Sequence, residues 1–252
     1  MVFDIHLHTR NYSGCSSIEA EDLVRRAEEL GLDGIALTDH GIRWPEDRVE
    51  ALREACGVHD LVIIPGQEIT CYNGSWKREG DFLVFGVKES LGSGLSAREL
   101  INLVHEQGGV VIAAHPYKRS RRGDTYYGVG DGMADLDVDC IEALHPEHDD
   151  AAIQKVRAFA ESRGGIPLTG GSDAHELSMV GACTTLFHAP VTCEQDFVDA
   201  LRKGKVTPRW GEFCPKRRRR ANPRYRLSSS FILTDHFTFN RSYLGRNYKK
   251  SV

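Results

Sequence analysis

Residues 3–8 read FDIHLH, an apolar run with one acid and two histidines set into it. Phe3, Ile5 and Leu7 alternate with Asp4, His6 and His8, the period-two pattern of a β-strand. His6 and His8 are two residues apart, so both side chains leave the strand on one face. Downstream, Ser16 and Glu19 have the spacing of a capping box and open a helix. Leu23, Ala27 and Leu30 recur at helical spacing, and Gly31 ends the run. Strand followed by helix is a unit, and the chain repeats it. GIALTDH (34–40) is a strand, and EDRVEALREAC (46–56) is a helix stopped by Gly57. LVIIPGQEIT (61–70) and FLVFGV (82–87) are strands. Ser96 and Glu99 form a second capping box before ARELINLVHEQ (97–107). VVIAAHP (110–116) and CIEALHP (140–146) are strands, and DDAAIQKVRAFAESR (149–163) is a helix. IPLTGGSDAH (166–175) is a strand with a glycine-rich turn, and TTLFHAP (184–190) is the next strand. Thr192 and Gln195 cap a last helix, EQDFVDALRK (194–203), stopped at Gly204.

Strands such as VVIAA and LVII are apolar throughout, as expected of parallel strands covered by helices on both faces. Seven or eight such units imply an α/β fold, either a closed (β/α) barrel or an open doubly wound sheet. The chain has neither G-x-G-x-x-G nor G-x-x-x-x-G-K-[ST], so the usual nucleotide folds are unsupported. Residues 117–135 are polar and glycine-rich and read as a long surface loop of the kind that carries binding function.

The 252 residues are 40% hydrophobic and 27% charged, enough apolar material for one full-sized core. No window approaches 18 consecutive apolar residues, so no membrane span is expected. The seven scattered cysteines contain no C-x-x-C pair, which fits a reducing compartment. With an N-terminus unlike a signal peptide, this gives a cytoplasmic expectation. The charge is uneven. Residues 211–252 hold 11 Lys and Arg against two acids, +9, and the preceding 210 residues hold 21 against 34, −13. The chain therefore divides into a body, 1–210, and a basic extension, 211–252, with SFILTDHF as a possible short strand. Basic runs with interleaved aromatics can follow a nucleic acid backbone. The other reading is a disordered or lineage-specific extension with no partner.

Candidate metal ligands fall where strands end. His6 and His8 lie on the first strand. His40, Glu68, His115 and His145 close or follow later ones, and Asp173 and His175 follow IPLTGG. In a barrel these ends share one rim, where catalytic groups collect. A buried cluster of imidazoles and carboxylates is most simply compensated by bound cations. Imidazole plus carboxylate without thiolate suits zinc, manganese or iron. More than four ligands implies more than one ion, with Glu68 as a bridge. Two such ions can clamp the attacking and leaving oxygens of a phosphoryl displacement.

DIHLHT, ALTDHG, PGQEIT, AAHPY and GGSDAH, in that order over residues 4–175, resemble the polymerase and histidinol phosphatase (PHP) superfamily. The resemblance implies a distorted seven-stranded, TIM-like (β/α)7 barrel. It also implies two or three divalent ions hydrolysing phosphate esters of a small metabolite or a nucleotide. Carried over, His6, His8, Glu68 and Asp173 hold one ion, Glu68 and His115 a second, and His40 and His175 help to hold a third. Two positions depart from the family pattern. Gly14 stands where many relatives have a third-ion ligand, with Cys15 beside it as a possible substitute. Asp81 stands where many have a histidine, and can bind through oxygen.

Lys118, Arg119 and Arg122, in the stretch after His115, are candidate phosphate contacts, since the guanidinium fork matches phosphate oxygens. A solvated loop is the alternative. His145 resembles a histidine of the H-P-x-H element in nucleotide-phosphatase members. It reads either as a general acid or as a hydrogen-bonding partner behind the ligands. Asp39, with Asp4 in a similar place, is expected to orient a ligand imidazole. The rival function is a catalytically degenerate metal-binding barrel that serves as a nucleic-acid or protein interaction module. A metal-dependent amidohydrolase shares His-x-His but needs a bridging lysine, and none ends a strand here. Oligomeric state is not legible.

Overall fold

The apolar alternation resolves into two five-stranded sheets interleaved with helices, in a computed structural model that describes residues 1–120, 122–123 and 125–211. The basic extension and its possible strand lie outside the described residues. One sheet contains β1 (Val2–Leu7), β2 (Gly34–Leu37), β3 (Val62–Pro65), β9 (Cys183–Phe187) and β10 (Val206–Trp210), ordered β10-β9-β1-β2-β3. The other contains β4 (Gln67–Tyr72), β5 (Arg78–Phe85), β6 (Val110–Ala113), β7 (Cys140–Leu144) and β8 (Leu168–Gly170), in chain order. Five α-helices are described: α1 (Ala20–Glu29), α2 (Glu46–Cys56), α3 (Ala97–Glu106), α4 (Asp150–Ser162) and α5 (Glu194–Arg202).

Both sheets are mixed, which corrects the expectation of a parallel closed barrel. β1–β2, β2–β3, β6–β7 and β7–β8 are parallel. β4–β5, β5–β6, β1–β9 and β9–β10 are antiparallel. No ring of strand pairing closes among the described residues. The reason lies partly in LVIIPGQEIT, which forms two strands and not one. At Gly66 the chain leaves β3, paired with β2, and enters β4, paired with β5. A Cβ at Gly66 would lie 2.3 Å from the Phe85 ring, so this crossing needs glycine. At the other margin the sheets meet through Thr185, whose hydroxyl accepts from Gly170 N (3.0 Å) and donates to Gly170 O (2.8 Å).

Three apolar clusters follow from this layering. The inner one joins the facing sides of the sheets, with Phe3, Ile5, Ile64, Leu83, Phe85, Val110 and Ile112 packed against Phe187 and Phe197. A second lies between the β4–β8 sheet and helices α3 and α4, and a third between β1–β3 and helices α1 and α2. The mouth above the inner core is where the polar residues gather.

Helix starts divide. Ser96 and Glu99 make the expected reciprocal capping box on α3. Ser16 does not cap α1, which begins behind Glu19 without a side-chain cap. The Ser16 hydroxyl donates instead to His8 O at 2.8 Å. Thr192 bonds Asp196 rather than capping α5 with Gln195. Ser96→Ala should therefore cost about 1 kcal/mol, read as a melting-temperature drop of roughly 2–4 °C. Residues 117–135 are less of a surface loop than expected. Tyr117 and Met133 are buried, and 130–135 form a short 3₁₀ turn.

Candidate metal centre

β1 carries a bulge. Asp4 pairs with Ile35 and Leu7 with Leu37, so three steps along β1 match two along β2. Bulges re-aim side chains. Phe3 and Ile5 point into the inner core, yet His6 and His8, of opposite parity, also reach the central cluster, and Leu7 turns outward to the third apolar cluster. Two further ligand candidates are aimed by the backbone. His115 has φ 26 and Asp173 φ 50, in the left-handed region that non-glycine residues seldom adopt. Strain of this kind persists where the surroundings over-determine it, and active sites are the usual place.

All eight expected metal ligands come together. Four overlapping groups have ligand atoms within 4.8 Å of one another: His6, His8 and Glu68; His6, His115 and Asp173; Glu68, Asp81 and His115; and His8, His40 and His175. Glu68 lies 2.9 Å from His40 and 3.1 Å from His115, which suits a bridging carboxylate. His6 Nε2 and His8 Nε2 are buried and have no hydrogen-bond partner among the described residues. They stand 3.1–3.5 Å from oxygens of Glu68 and Asp173 without donor geometry. Two orphaned imidazole nitrogens aimed among carboxylates fit a divalent cation.

The electrostatics agree. Burial opposes a proton on His6, but Glu142, Asp173 and Glu68 outweigh it and hold its pKa well above the usual value. Burial would raise Glu68 and Asp173, yet His6 and neighbouring cations hold both well below the carboxylate range. Each acid is stable only with positive charge beside it, supplied by protons or by metal. Asp81 is raised, by burial and by the Glu68 charge. Its oxygens accept from the Thr70 hydroxyl (2.7 Å) and from Arg78. Burial pushes the Cys15 thiol up, but hydrogen bonds with His175 and His40 bring it down to about 6.

Several side chains behind the ligands escape sequence reasoning. Glu142 is fully buried, bonding His6 Nδ1 at 3.1 Å and accepting from His115 N at 2.8 Å. Its signal was an acid in the middle of the apolar strand CIEAL. A Cβ at Gly171 would fall 2.4 Å from Glu142 and 2.5 Å from His6, so glycine there makes room for this contact. Ser13 Oγ lies 3.3 Å from His8 Nδ1 and accepts from His40 N at 3.0 Å. Asp39 differs from expectation. It accepts from Thr9 N and Oγ1 and from Trp44 Nε1 at 2.6–2.7 Å, so it fixes the backbone after His8, and it hydrogen-bonds to no imidazole among the described residues. Asp4 ties the Asp173 loop to β1 by accepting from Ser172 N (3.1 Å) and Gly181 N (2.8 Å).

His145 sits behind Asp173. Its Nδ1 accepts from Glu147 N at 3.1 Å, which leaves the proton on Nε2, 3.2 Å from Asp173 Oδ2. Burial keeps the ring neutral, with a pKa lowered to about 3. This geometry suits orientation of Asp173 better than proton delivery. Lys118 Nζ lies 2.6 Å from Asp173 Oδ2 and 3.1 Å from Glu147. Lys118 and Arg119 line a cavity of about 730 Å³ together with Arg78, Tyr127 and the ligand cluster. Arg122 is exposed and outside that lining. Arg78, which sequence reasoning overlooked, is held by Asp81 and by Tyr127 O at 3.0 Å.

Residues 4–154 match the family of the PHP domain, more than half the chain, and residues 151–206 match the PHP-associated family. The chain therefore belongs to the PHP domain family. With the histidine and carboxylate groups above, this membership supports a metal-dependent hydrolase. An uncharacterised protein of Methanocaldococcus jannaschii is 28% identical over 62% of this chain and 88% of its own length. An error-prone DNA polymerase of Cutibacterium acnes is 39% identical over 59 residues, 23% of this chain and 5% of the polymerase. Among solved structures, PsfC of Pseudomonas syringae has TM-score 0.62 at 21% identity, over 85% of this chain and 93% of that one. A candidate metal-dependent phosphoesterase of Bifidobacterium adolescentis has TM-score 0.54 at 20% identity, over 69% and 87%. An amidohydrolase of Chromobacterium violaceum with bound sulfate and no metal has TM-score 0.54 at 15%, over 81% and 97%. These likenesses are of fold. No helix among the described residues is long and apolar enough to cross a membrane.

Proposed function

We propose that this protein hydrolyses phosphate esters of a small phosphorylated metabolite or nucleotide with two or three divalent ions, zinc, manganese or iron. One observation carries the reading: a cation-hungry cluster of imidazoles and carboxylates shares its cavity with three phosphate-seeking side chains, Lys118, Arg119 and Arg78. The likeness to a candidate metal-dependent phosphoesterase supports it. Bound divalent ions would supply Lewis acidity and lower the pKa of water. His6, His8, Glu68 and Asp173 would hold one ion, Glu68, Asp81 and His115 a second, and His8, His40 and His175 a third. The chain's own residues then do three things. Lys118, Arg78 and Arg119 face the phosphoryl oxygens and offset the charge that grows as the P–O bond breaks. His145 and Lys118 keep Asp173 in its ligating pose. Glu142 fixes the tautomer of His6, since a carboxylate on Nδ1 leaves Nε2 free to ligate. The Arg78 guanidinium and the Lys118 ammonium lie over the Tyr127 ring, 5.1 and 5.9 Å from its centre, and holding them there reduces the entropy lost on binding.

The test is hydrolysis of p-nitrophenyl phosphate by purified protein supplied with manganese or zinc. Turnover that disappears with a chelator and returns with metal is the expected result. Metal binding without turnover of any phosphate ester would favour the degenerate interaction module instead. Removal of residues 211–252 is expected to leave turnover of this small substrate intact, because every residue of the proposed site precedes 211.

A further inference from the structure

Among the described residues, three non-glycine side chains have left-handed φ: His115, Asp173 and Trp76. Two belong to the metal cluster. Trp76, with φ 57, has no part in it, and a bulky residue in this region is a genuine outlier that needs a reason. It is also the most exposed large apolar side chain described, at 73%.

Its position is fixed. Trp76 lies in the turn between β4 and β5. Asn73 clamps that turn, its side-chain oxygen accepting from Ser75 N and Lys77 N, both at 3.0 Å. Trp76 N donates to Asn73 O at 2.8 Å, and Asn73 N to Lys77 O at 2.9 Å. The indole is held out on a closed turn, with its ring centre 6.1 Å from that of Tyr72.

The same hairpin builds one wall of the cavity. Glu68, Thr70, Asp81 and Arg78 all line it. Tyr72 pairs directly with Arg78, and directly opposed residues share a sheet face. The order outward from the ligands is therefore Asp81, Arg78, Tyr72, Trp76. Asp81 and Arg78 are three residues apart on β5, and the register shift opposite Cys71 and Tyr72 draws them together, so that their side chains form an ion pair. The cavity is far larger than a phosphate group needs, and one of the cations that line it, Arg78, stands opposite Tyr72.

We propose that Trp76, backed by Tyr72, is the seat for an aromatic ring carried by the substrate, which makes the preferred phosphate ester a nucleotide. The inference rests on the phosphoesterase reading. The phosphate engages the cluster, the sugar passes Arg78, and the base stacks on the indole. Stacking is tolerant of base identity because every base presents a π face.

The test compares kcat/KM for adenosine 5′-monophosphate and glycerol phosphate in the wild type, Trp76→Ala and Trp76→Phe. Stacking on one aromatic side chain predicts that Trp76→Ala lowers the nucleotide-to-glycerol ratio about 10-fold or more, with most of it retained in Trp76→Phe. An unchanged ratio in Trp76→Ala overturns the proposal even if both esters are hydrolysed. Tryptophan fluorescence gives a readout independent of turnover. Adenosine 5′-monophosphate should quench wild-type emission and leave Trp76→Phe unquenched. If neither ester is hydrolysed but that difference persists, the subsite stands and the phosphoesterase reading falls. Equal quenching in both proteins sinks the subsite.

Discussion

Asp173→Ala is expected to abolish metal-dependent hydrolysis, lowering kcat/KM by well over the roughly 100-fold that loss of a group behind a ligand can cost. No other carboxylate in the cluster is engaged from so many directions. Asp173 Oδ1 faces His6 and His8 at 3.4 and 3.1 Å, and Oδ2 faces His145 at 3.2 Å and Lys118 at 2.6 Å. Alanine removes the ligand and also frees Lys118 and His145, so ligation and phosphate binding fail together. His8→Ala should be comparably severe, because His8 belongs to two of the four ligand groups. The measurement is p-nitrophenyl phosphate turnover across a metal titration. Full activity of either variant at saturating metal would place the chemistry elsewhere. A pH dependence accompanies this. Ligating imidazoles must be unprotonated, and Glu68 with Cys15 holds His40 up at about 11 despite its burial. Metal therefore competes with protons, and apparent metal affinity should fall as pH is lowered and rise as it is raised.

How far the sequence could be read depended on whether a feature is local. α2 and the Ser96 box on α3 depend on near neighbours, and their residues appear at the expected spacing. Seven of the eight candidate ligands were legible as imidazoles or acids on or just after apolar strands, and Asp81 was legible only through the family resemblance. What stayed hidden depends on contacts distant in the chain. The division of LVIIPGQEIT at Gly66 is dictated by the Phe85 ring, 19 residues on. β10 (VTPRW) has mixed exposure and exists because β9 offers it a partner. Arg78 looks like a solvated charge until β5 places it beside Asp81 and Tyr127. Asp39, expected to orient a ligand imidazole, bonds instead to Thr9 and Trp44.

Glu142 gives the second large effect, and it separates orientation from ligation. No oxygen of Glu142 belongs to a ligand group, yet it spans two of the proposed ion positions through His6 Nδ1 and His115 N. Removing such a partner typically costs 10- to 100-fold in metal affinity, and about that is expected for Glu142→Ala. The imidazole would lose the bond that fixes its tautomer and an electrostatic contribution to its basicity. Stability should fall as well. Breaking a fully buried charge pair costs about 3–5 kcal/mol, roughly 6–20 °C in a domain of this size. The two effects are separable. Glu142→Gln keeps the volume, but one amide group cannot accept at both oxygens, so either His6 or His115 N faces an NH2 in place of an acceptor. That variant should recover much of the melting temperature while metal affinity, measured by competition with a chromogenic chelator, stays depressed. Equal recovery of both would make Glu142 a packing residue. Recovery of neither would mean that its negative charge, rather than its hydrogen bonds, holds the cluster together.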